Sequence, residues 1–291
     1  MRHYGFSEDK NKRAQVFQDT QCLYTKNRQL AMAVLNSKTK QRFIGEKDQV
    51  ATCEAKPYQD KAKIVVSKKR SFEAASAYTD KKVCVHNFAS ASNPGGGVVN
   101  GASAQEECLC RCSTLYPCLA TDEMDKKFYG AHKRGFREGT LNALYNDDCI
   151  YTPDVVVFKT DEAIPELMDA NDWYKVDILT CAAPNLRNVP SNAMNPNAGR
   201  KPVTISDEDL KKLHIKRAKR ILDIAKSNGA QVVILGAFGC GAFQNPPKVV
   251  AEAMREAISE YLYDFHVIEF AVYCSPRDTA NYDAFESIIR F

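Results

Sequence analysis

The sequence lacks any apolar run long enough to cross a membrane. A spanning helix needs about 18 consecutive apolar residues, and no stretch of this chain approaches that length. The first ten residues, MRHYGFSEDK, also lack the apolar segment of a signal peptide. We therefore expect a protein with no membrane partner that is located in the cytoplasm.

Cysteine spacing of the zinc type is missing as well. The chain has 11 cysteines but no C-x2-C pair, which is the usual source of ligands for structural zinc. On a helix, Cys108 and Cys112 would share one face and Cys110 would point elsewhere. An odd number of cysteines favours reduced thiols over a disulfide framework. We predict no metal site and no cofactor.

The charge balance does not suggest nucleic-acid binding. The net charge is +4, with 44% hydrophobic and 26% charged residues, as in an ordinary globular protein. A nucleic-acid-binding protein is expected to carry a more concentrated basic patch. We expect no direct nucleic-acid partner, although this balance tolerates a polyanionic substrate.

From about residue 61, apolar runs alternate with helical stretches. The runs are almost continuously apolar, which is typical of strands that are buried on both faces with helices between them. We predict strands at Ile64–Ser67, Val83–Phe88, Val155–Phe158, Val176–Cys181, Val232–Leu235 and Val267–Tyr273. The expected fold is α/β, a three-layer α/β/α sandwich.

Helix signals complete this prediction. Ser206 is a good N-cap and Gly229 a good C-terminal stop for the helix between them. We predict helices at Asp207–Asn228, Pro246–Tyr261 and Asp278–Ile289. Residues 1–60 have a polar helical pattern with intermittent apolar contacts. They are expected to form an accessory helical segment on a catalytic domain of residues 61–291.

The stretch from Asn87 to Pro117, NFASASNPGGGVVNGASAQEECLCRCSTLYP, carries the strongest functional signal. A buried strand ends there, the triple glycine Gly95-Gly96-Gly97 follows, and after seven residues Gln105-Glu106-Glu107 opens a helix. Bare glycines let backbone N–H groups approach a ligand, and a helix N-terminus favours an anion. Two carboxylates would repel a phosphate, so we expect them to face a neutral part of the ligand, such as a sugar.

A second glycine-rich loop follows the strand Val232–Leu235. Its three glycines let consecutive N–H groups turn toward an anion. Either loop alone fits a structural turn, but together they would hold a diphosphate. The loop consists of Gly236, Ala237, Phe238, Gly239, Cys240, Gly241, Ala242 and Phe243.

The two glutamates are expected to do different jobs. Ser103 and Glu106 fit a capping box, in which Glu106 reaches back to the backbone of the N-cap residue. This leaves Glu107 unexplained by capping. Adjacent helix positions point about 100° apart, so the pair is not expected to act as one dyad.

A triple glycine followed after seven residues by Gln-Glu-Glu resembles the signature of poly(ADP-ribose) glycohydrolases. The surrounding NFASASNPGGG and the later GAFGCGAF resemble the compact bacterial branch of that family, over roughly residues 60 to 291. The resemblance implies a macrodomain-like fold with a mixed sheet. It also implies hydrolysis of ribose–ribose O-glycosidic bonds from chain ends, with ADP-ribose as the product.

The implied substrate is poly(ADP-ribose) or ADP-ribosylated protein. Two other functions stay open. One is a module that binds ADP-ribose without cleaving it, although such a module needs no general acid and the intact Gln-Glu-Glu argues against it. The other is a hydrolase of mono-ADP-ribosylated protein, because both substrates contain ADP-ribose.

The resemblance also implies roles for single residues. Glu107 would protonate the leaving oxygen and then activate water, and Glu106 would position a sugar hydroxyl, through an oxocarbenium-like state. Asn93 would bond to the distal ribose and Phe243 would pack beside it, although the two residues also suit a structural turn and core packing. The other predicted ligand contacts are Gly95, Gly96, Gly97, Val98, Gln105, Gly236, Phe238, Gly239, Cys240, Gly241 and Ala242.

Overall fold

A seven-stranded mixed sheet lies at the centre of the computed structural model, which describes residues 3–51, 56–191, 199, 201–275 and 278–291. Its strands are β1 (Arg42–Ile44), β2 (Lys63–Ser67), β3 (Val83–Phe88), β4 (Cys149–Val157), β5 (Tyr174–Cys181), β6 (Val232–Leu235) and β7 (Val267–Ala271). Their order across the sheet is β1-β4-β5-β3-β6-β7-β2. The first three strands in this order pair antiparallel, and the five from β5 to β2 pair parallel. The predicted mixed sheet is confirmed.

Helices cover both faces of the sheet. They are α1 (His3–Lys26), α2 (Arg28–Lys40), α3 (Ser71–Ala75), α4 (Gln105–Cys112), α5 (Tyr116–Leu119), α6 (Asp122–Met124), α7 (Gly130–Glu138), α8 (Asp207–Ser227), α9 (Pro247–Ile258) and α10 (Ala280–Ile288). Because side chains alternate along a strand, Val83 and Val85 of β3 pack into one buried cluster with α4. Cys84 between them packs into the other, with α8 and α9. The predicted three-layer α/β/α sandwich is confirmed.

All six predicted strands are present. The predicted long helix is α8, whose N-cap Ser206 accepts the backbone N–H of Asp209 at 3.1 Å. Gly229, just after its end, has a φ of +73°, which favours glycine. The predicted helix from Pro246 begins as expected but ends at Ile258, before the predicted Tyr261.

The N-terminal segment is only partly as predicted. Helices α1 and α2 span most of the segment from His3 to Lys40, but Arg42–Ile44 form β1, which pairs antiparallel with β4 at the edge of the sheet. A three-residue strand has no measurable periodicity, so the sequence did not reveal it. Phe17 of α1 is also buried in the core cluster that contains α4. The division of the chain at residue 60 stays a prediction. Within the described part of the chain, no helix combines the length and apolarity that a membrane span requires.

Candidate active site

A cavity lies where the parallel strands end. Because β2, β3, β5, β6 and β7 run in the same direction, their C-terminal ends meet at one edge of the sheet. The loops that leave this edge enclose about 480 Å³, within the usual size range of small-molecule sites. Each of the five strands contributes a lining residue soon after its end, namely Arg70, Ser90, Ala183, Ala237 and Val272.

Helix α4 begins one residue later than a capping box requires. Its N-cap is Ala104, which makes no side-chain capping bond, so Glu106 is at the second helical position rather than the third. The Glu106 carboxylate points toward the loop after β3 and accepts the backbone N–H of Ser90 at 2.7 Å. The predicted capping box of Ser103 and Glu106 is therefore wrong.

The backbone N–H groups of the triple glycine are used within the protein. Gly97 donates to Oε1 of Glu107 at 2.8 Å, and the Gly95 backbone bonds to the Glu106 carboxylate. The N–H of Gly96 closes a turn inside the loop. The loop therefore holds two carboxylates with its donors. Contact between this loop and a phosphate stays a prediction, which these bonds do not favour.

Gly96 separates the two carboxylates and has to be glycine. Its φ is +57°, and a Cβ there would lie 2.5 Å from Oε1 of Glu107 and 3.3 Å from Oε2 of Glu106. These two oxygens are consequently less than about 6 Å apart. The helix geometry does give the glutamates different hydrogen-bond partners, but the folded loop brings their charges close enough to interact.

Burial raises the pKa of both glutamates. The pKa of Glu106 rises to about 8, first because of burial and second because of the charge of Glu107, although the Ser90 N–H opposes the rise. Burial likewise raises the pKa of Glu107, opposed mainly by the Gly97 N–H. The pair therefore retains a proton near neutral pH. This is the protonation state that a general acid needs.

Glu106→Gln is expected to stabilise the protein at about pH 8. Folding raises the Glu106 pKa from 4.5 to about 8, so the folded state binds more protons than the unfolded state between these values. Stability then falls as the pH rises through that window. A glutamine stays neutral, can accept the Ser90 N–H, and can donate to Oδ1 of Asn87 once that amide rotates. This Oδ1 has no partner among the described residues.

Thermal unfolding at a series of pH values measures this effect. The melting temperature of Glu106→Gln should exceed that of the parent by an amount that grows from about pH 5 to pH 8. Each kcal/mol corresponds to roughly 2–4 °C in a domain of this size. A difference that stays constant with pH would show that Glu106 is not buried as described.

The loop after β6 keeps its donors available. Gly239 has a φ of +79°, and the side chain of Asn245 closes the loop by donating to its carbonyl at 3.1 Å. The N–H groups of Gly239, Gly241 and Ala242 donate to no acceptor within the described ranges, and all three residues line the cavity. Such unused N–H groups suit an anion. The diphosphate contact stays a prediction, now assigned to this loop alone.

The cavity wall contains most, but not all, of the predicted site residues. Those that line it are Gly96, Gly97, Gln105, Glu106, Glu107, Gly239, Gly241, Ala242 and Phe243. The predicted residues that do not line it are Asn93, Gly95, Val98, Gly236, Phe238 and Cys240. Val98 and Phe238 are fully buried, and the Phe238 ring packs 4.4 Å from that of His86. These two side chains support the site from the core, which is a structural reason for an apolar residue at both positions.

Gln105 fastens helix α4 to the end of β3. Its Nε2 donates to the carbonyl of His86 at 2.8 Å, and its Oε1 accepts the N–H of Phe88 at 2.9 Å. A third bond runs from Nε2 to Oγ of Ser71. Because the amide is already engaged, its structural contribution is to position the two glutamates that follow it.

Several polar or charged residues that line the cavity were not singled out from the sequence. They include Arg70, Asp161, Arg187, Tyr273 and Asn281. The Arg70 guanidinium lies over the Tyr273 ring, 3.9 Å from its centroid, in a cation–π contact. Arg70 and Tyr273 each follow a predicted strand or end it, so attention to strand ends would have found them. Asn281 is on α10 and had no such signal.

The cysteines near the site are buried thiols. Burial raises the pKa of Cys108, and it raises the pKa of Cys110 and Cys112 well above the ordinary value. Thiols with raised pKa values are weak nucleophiles. In the ranges that the structure describes, no three His, Cys, Asp or Glu side chains are grouped to hold a metal ion. Metal independence stays a prediction, which activity in EDTA would test.

Comparison with known proteins points to one family. The family model described as "Microbial-type PARG, catalytic domain" matches residues 11–160, just over half of the chain. Among solved structures, the poly(ADP-ribose) glycohydrolase of Thermomonospora curvata is 27% identical, with a TM-score of 0.79 and coverage of 95% of this chain and 99% of that one. The enzyme from Deinococcus radiodurans, solved with ADP-ribose, is 28% identical, with a TM-score of 0.70 and coverage of 88% and 98%. No curated protein matched in sequence.

Proposed function

Because the chain belongs to the microbial-type poly(ADP-ribose) glycohydrolase family, we propose that its cavity holds the terminal ADP-ribose unit while Glu107 drives cleavage of the ribose–ribose bond. The chain is a hydrolase of these O-glycosidic bonds. One observation carries the residue assignment. Two buried glutamates are held on the cavity wall by the triple-glycine loop, and the loop after β6 offers unused N–H groups to the same cavity.

Charge decides how ADP-ribose lies in the cavity. The diphosphate is repelled by the glutamates and attracted by the N–H groups of Gly241 and Ala242. Arg187 also lines the cavity and adds a positive charge. The distal ribose is neutral, so it can lie against Glu106 and Glu107. Phe243 lines the same cavity, which supports its predicted contact with the distal ribose.

The two carboxylates differ in how firmly they are held. Both oxygens of Glu106 accept hydrogen bonds, one from Asn87 at 3.4 Å and one from Ser90 at 2.7 Å. This fixes Glu106 and suits it to position a sugar hydroxyl. Glu107 is anchored through Oε1 by Gly97 and also lines the cavity. This supports Glu107 as the residue that exchanges a proton with substrate.

In the proposed reaction, protonated Glu107 gives its proton to the oxygen that links the two riboses. The bond from that oxygen to the anomeric carbon breaks, and the distal ribose passes through an oxocarbenium-like state. A water molecule then adds to the anomeric carbon and returns a proton to Glu107. The products are ADP-ribose and a polymer that is one unit shorter.

Cleavage from chain ends is the proposed mode. Helix α10 brings Asn281 to the cavity, which supports the C-terminal segment as a wall beyond the distal ribose. Residues 276 and 277 of that segment lie outside the described residues. Monomeric ADP-ribose should dominate from the earliest points of a time course. Abundant early oligomers would indicate internal cleavage instead.

Incubation with two substrates tests the function. Automodified poly(ADP-ribose) and a mono-ADP-ribosylated protein are treated separately, and released ADP-ribose is quantified. We expect release from the polymer. Tight binding without release would identify a binding module, and release only from the mono-ADP-ribosylated protein would identify the other hydrolase activity.

Gly241→Val is expected to weaken ADP-ribose binding without affecting the fold. No atom lies within 4 Å of a Cβ at Gly241, so the side chain fits, but its bulk covers the N–H groups proposed for the diphosphate. We expect affinity, in the micromolar range for the parent, to fall about tenfold or more by calorimetry. The melting temperature should not change.

Gly239→Val provides the contrast. A Cβ there would lie 2.6 Å from Nδ2 of Asn245 and 2.7 Å from Cβ of Ala183, at a φ that disfavours side chains. This variant should lose stability as well as binding. If Gly241→Val binds ADP-ribose as tightly as the parent, the diphosphate does not bind at the loop after β6.

A further inference from the structure

A second concave surface lies beside the active-site cavity, and we call it the α7 groove. It encloses about 1090 Å³, and its basic lining residues are Lys133, Arg134 and Arg137 of α7 together with Lys201. Its acidic lining residues are Asp125 and Glu138. Among the lining residues that the structure describes, four cations and two carboxylates give a net positive charge.

Most of the groove's cations are not neutralised by a carboxylate. Lys133 pairs with Asp125 at 3.1 Å, and Arg134 donates to the backbone carbonyl of Lys126. In the part of the chain that the structure describes, Arg134, Arg137 and Lys201 have no carboxylate within ion-pair distance, and all three are exposed. Exposed, unpaired cations are also found on ordinary solvated helices. A binding role therefore has to be supported by the location of the groove.

Aromatic rings join the groove to the active site. Phe243 lines the cavity, and its ring centroid is 6.0 Å from that of Tyr145. Tyr145 is in turn 5.6 Å from Phe136, which lines the groove. Only two ring contacts therefore separate the proposed wall of the distal ribose from the α7 groove.

A hydrogen bond places α7 next to the segment that leads to the catalytic loop. His132 of α7 bonds through Nδ1 to the carbonyl of Ala91 at 2.8 Å, in the segment that leads to the triple glycine. Arg187 lines the active-site cavity, and its charge acts on Tyr145 of the ring series. Arg187 thus adds a positive charge on the side of the cavity where Tyr145 lies.

We propose that the α7 groove binds the diphosphate of the ADP-ribose unit adjacent to the one being released. This rests on the proposed function, because it assumes that the terminal unit fills the cavity and that its distal ribose lies at Phe243. The rest of the polymer leaves from that ribose. The next anionic group along the polymer then meets Arg134, Arg137 and Lys201, so substrate is held on both sides of the bond that breaks.

The test compares binding of polymer with binding of ADP-ribose. Arg134→Glu/Arg137→Glu is combined with Glu107→Gln, which keeps the polymer intact. Affinity for labelled poly(ADP-ribose) should fall about tenfold or more at physiological salt, with a shallower salt dependence because fewer phosphates are neutralised. Affinity for free ADP-ribose should change by less than about twofold, since the cavity is untouched.

A matched control separates a local site from the overall charge. Lys61→Glu/Lys63→Glu changes the net charge by the same amount as the groove variant. The two lysines lie at the start of β2, whereas the cavity lies at the C-terminal ends of the parallel strands. It should leave polymer affinity within about twofold of the parent. Lys201→Glu alone should also weaken polymer binding, and it guards against damage to α7 because Lys201 lies outside that helix.

Several outcomes would overturn the groove assignment. They are equal losses in the groove and control variants, no loss in the groove variants, and displacement of polymer by single-stranded DNA of the same charge as effectively as by unlabelled polymer. The last would indicate a general polyanion surface. If the parent binds no ADP-ribose, the proposed function fails and the groove's role fails with it. If the parent binds ADP-ribose and cleaves polymer but the groove variants keep full polymer affinity, only the groove assignment is rejected.

Discussion

Glu107→Gln is expected to lower the turnover of poly(ADP-ribose) by about 100- to 10,000-fold, the range that general acid–base catalysis contributes. Glutamine has the same size and can still accept the Gly97 N–H that anchors Glu107 at 2.8 Å. It has no proton to give to the leaving oxygen. The initial rate of ADP-ribose release at saturating polymer measures the effect, and calorimetry should show nearly unchanged binding of ADP-ribose.

Glu106→Gln is the matched comparison, because it makes the same chemical change one residue away. It should also reduce turnover, through a poorly positioned sugar, and the loss should be smaller than for Glu107→Gln. Replacing Glu107 should lower the pKa of Glu106, because the charge of Glu107 is the second cause of its elevation. Full activity of Glu107→Gln with an inactive Glu106→Gln would reverse the two roles. If both variants were fully active, neither glutamate would be the general acid.

Gly96→Ala is expected to reduce turnover by about 100-fold, although the protein should remain folded. The new Cβ would lie 2.5 Å from Oε1 of Glu107, so that carboxylate must move by about an ångström. A displacement of about 1 Å in a catalytic group is enough to cost about 100-fold in rate. The left-handed backbone of Gly96 adds roughly 1–2 kcal/mol of instability. Initial rates and thermal unfolding are measured on the same preparation.

Gly229→Ala separates backbone strain from the displaced carboxylate. Gly229 has a similar φ of +73°, but a Cβ there has no neighbour within 4 Å, and it lies just before β6, at the edge of the sheet away from the cavity. It should lose comparable stability and keep full activity. If the two variants were equally active, the close approach of Gly96 to the glutamates would have no catalytic importance.

Local patterns explain why much of the fold could be predicted. The apolar run of β3 and the capped amphipathic stretch of α8 carry their signals within a few consecutive residues. The strand β1 carries no such signal, because three half-exposed residues become a strand only through their pairing with β4. Helix α4 begins at Gln105 as predicted, but the capping box is absent, because the N-cap is Ala104 although Ser103 is the better N-cap by residue type.

The same contrast between local sequence signals and tertiary contacts applies to the active site. The spacing of the triple glycine and the Gln-Glu-Glu motif is enough to predict Glu106 and Glu107 as site residues, and the glycines after β6 predict the second loop. The sequence did not reveal that two N–H groups of the triple-glycine loop donate to the glutamates, whereas three in the loop after β6 have no acceptor among the described residues. Which acceptor an N–H group meets depends on distances of a few tenths of an ångström, and residue types alone do not set these distances.

The chemistry that this protein carries follows from its residue types, their order and their spacing, because these specify two carboxylates beside glycine-rich strand ends. Which of these groups act together follows from the packing of the folded chain. It placed Arg70 against Tyr273 at the cavity, buried both glutamates near one glycine, and set α7 beside the loop that holds them. The physical reason is that pKa values, charge coupling and cavity walls arise from contacts between residues distant in the chain, which exist only once parallel strands bring their ends to one edge.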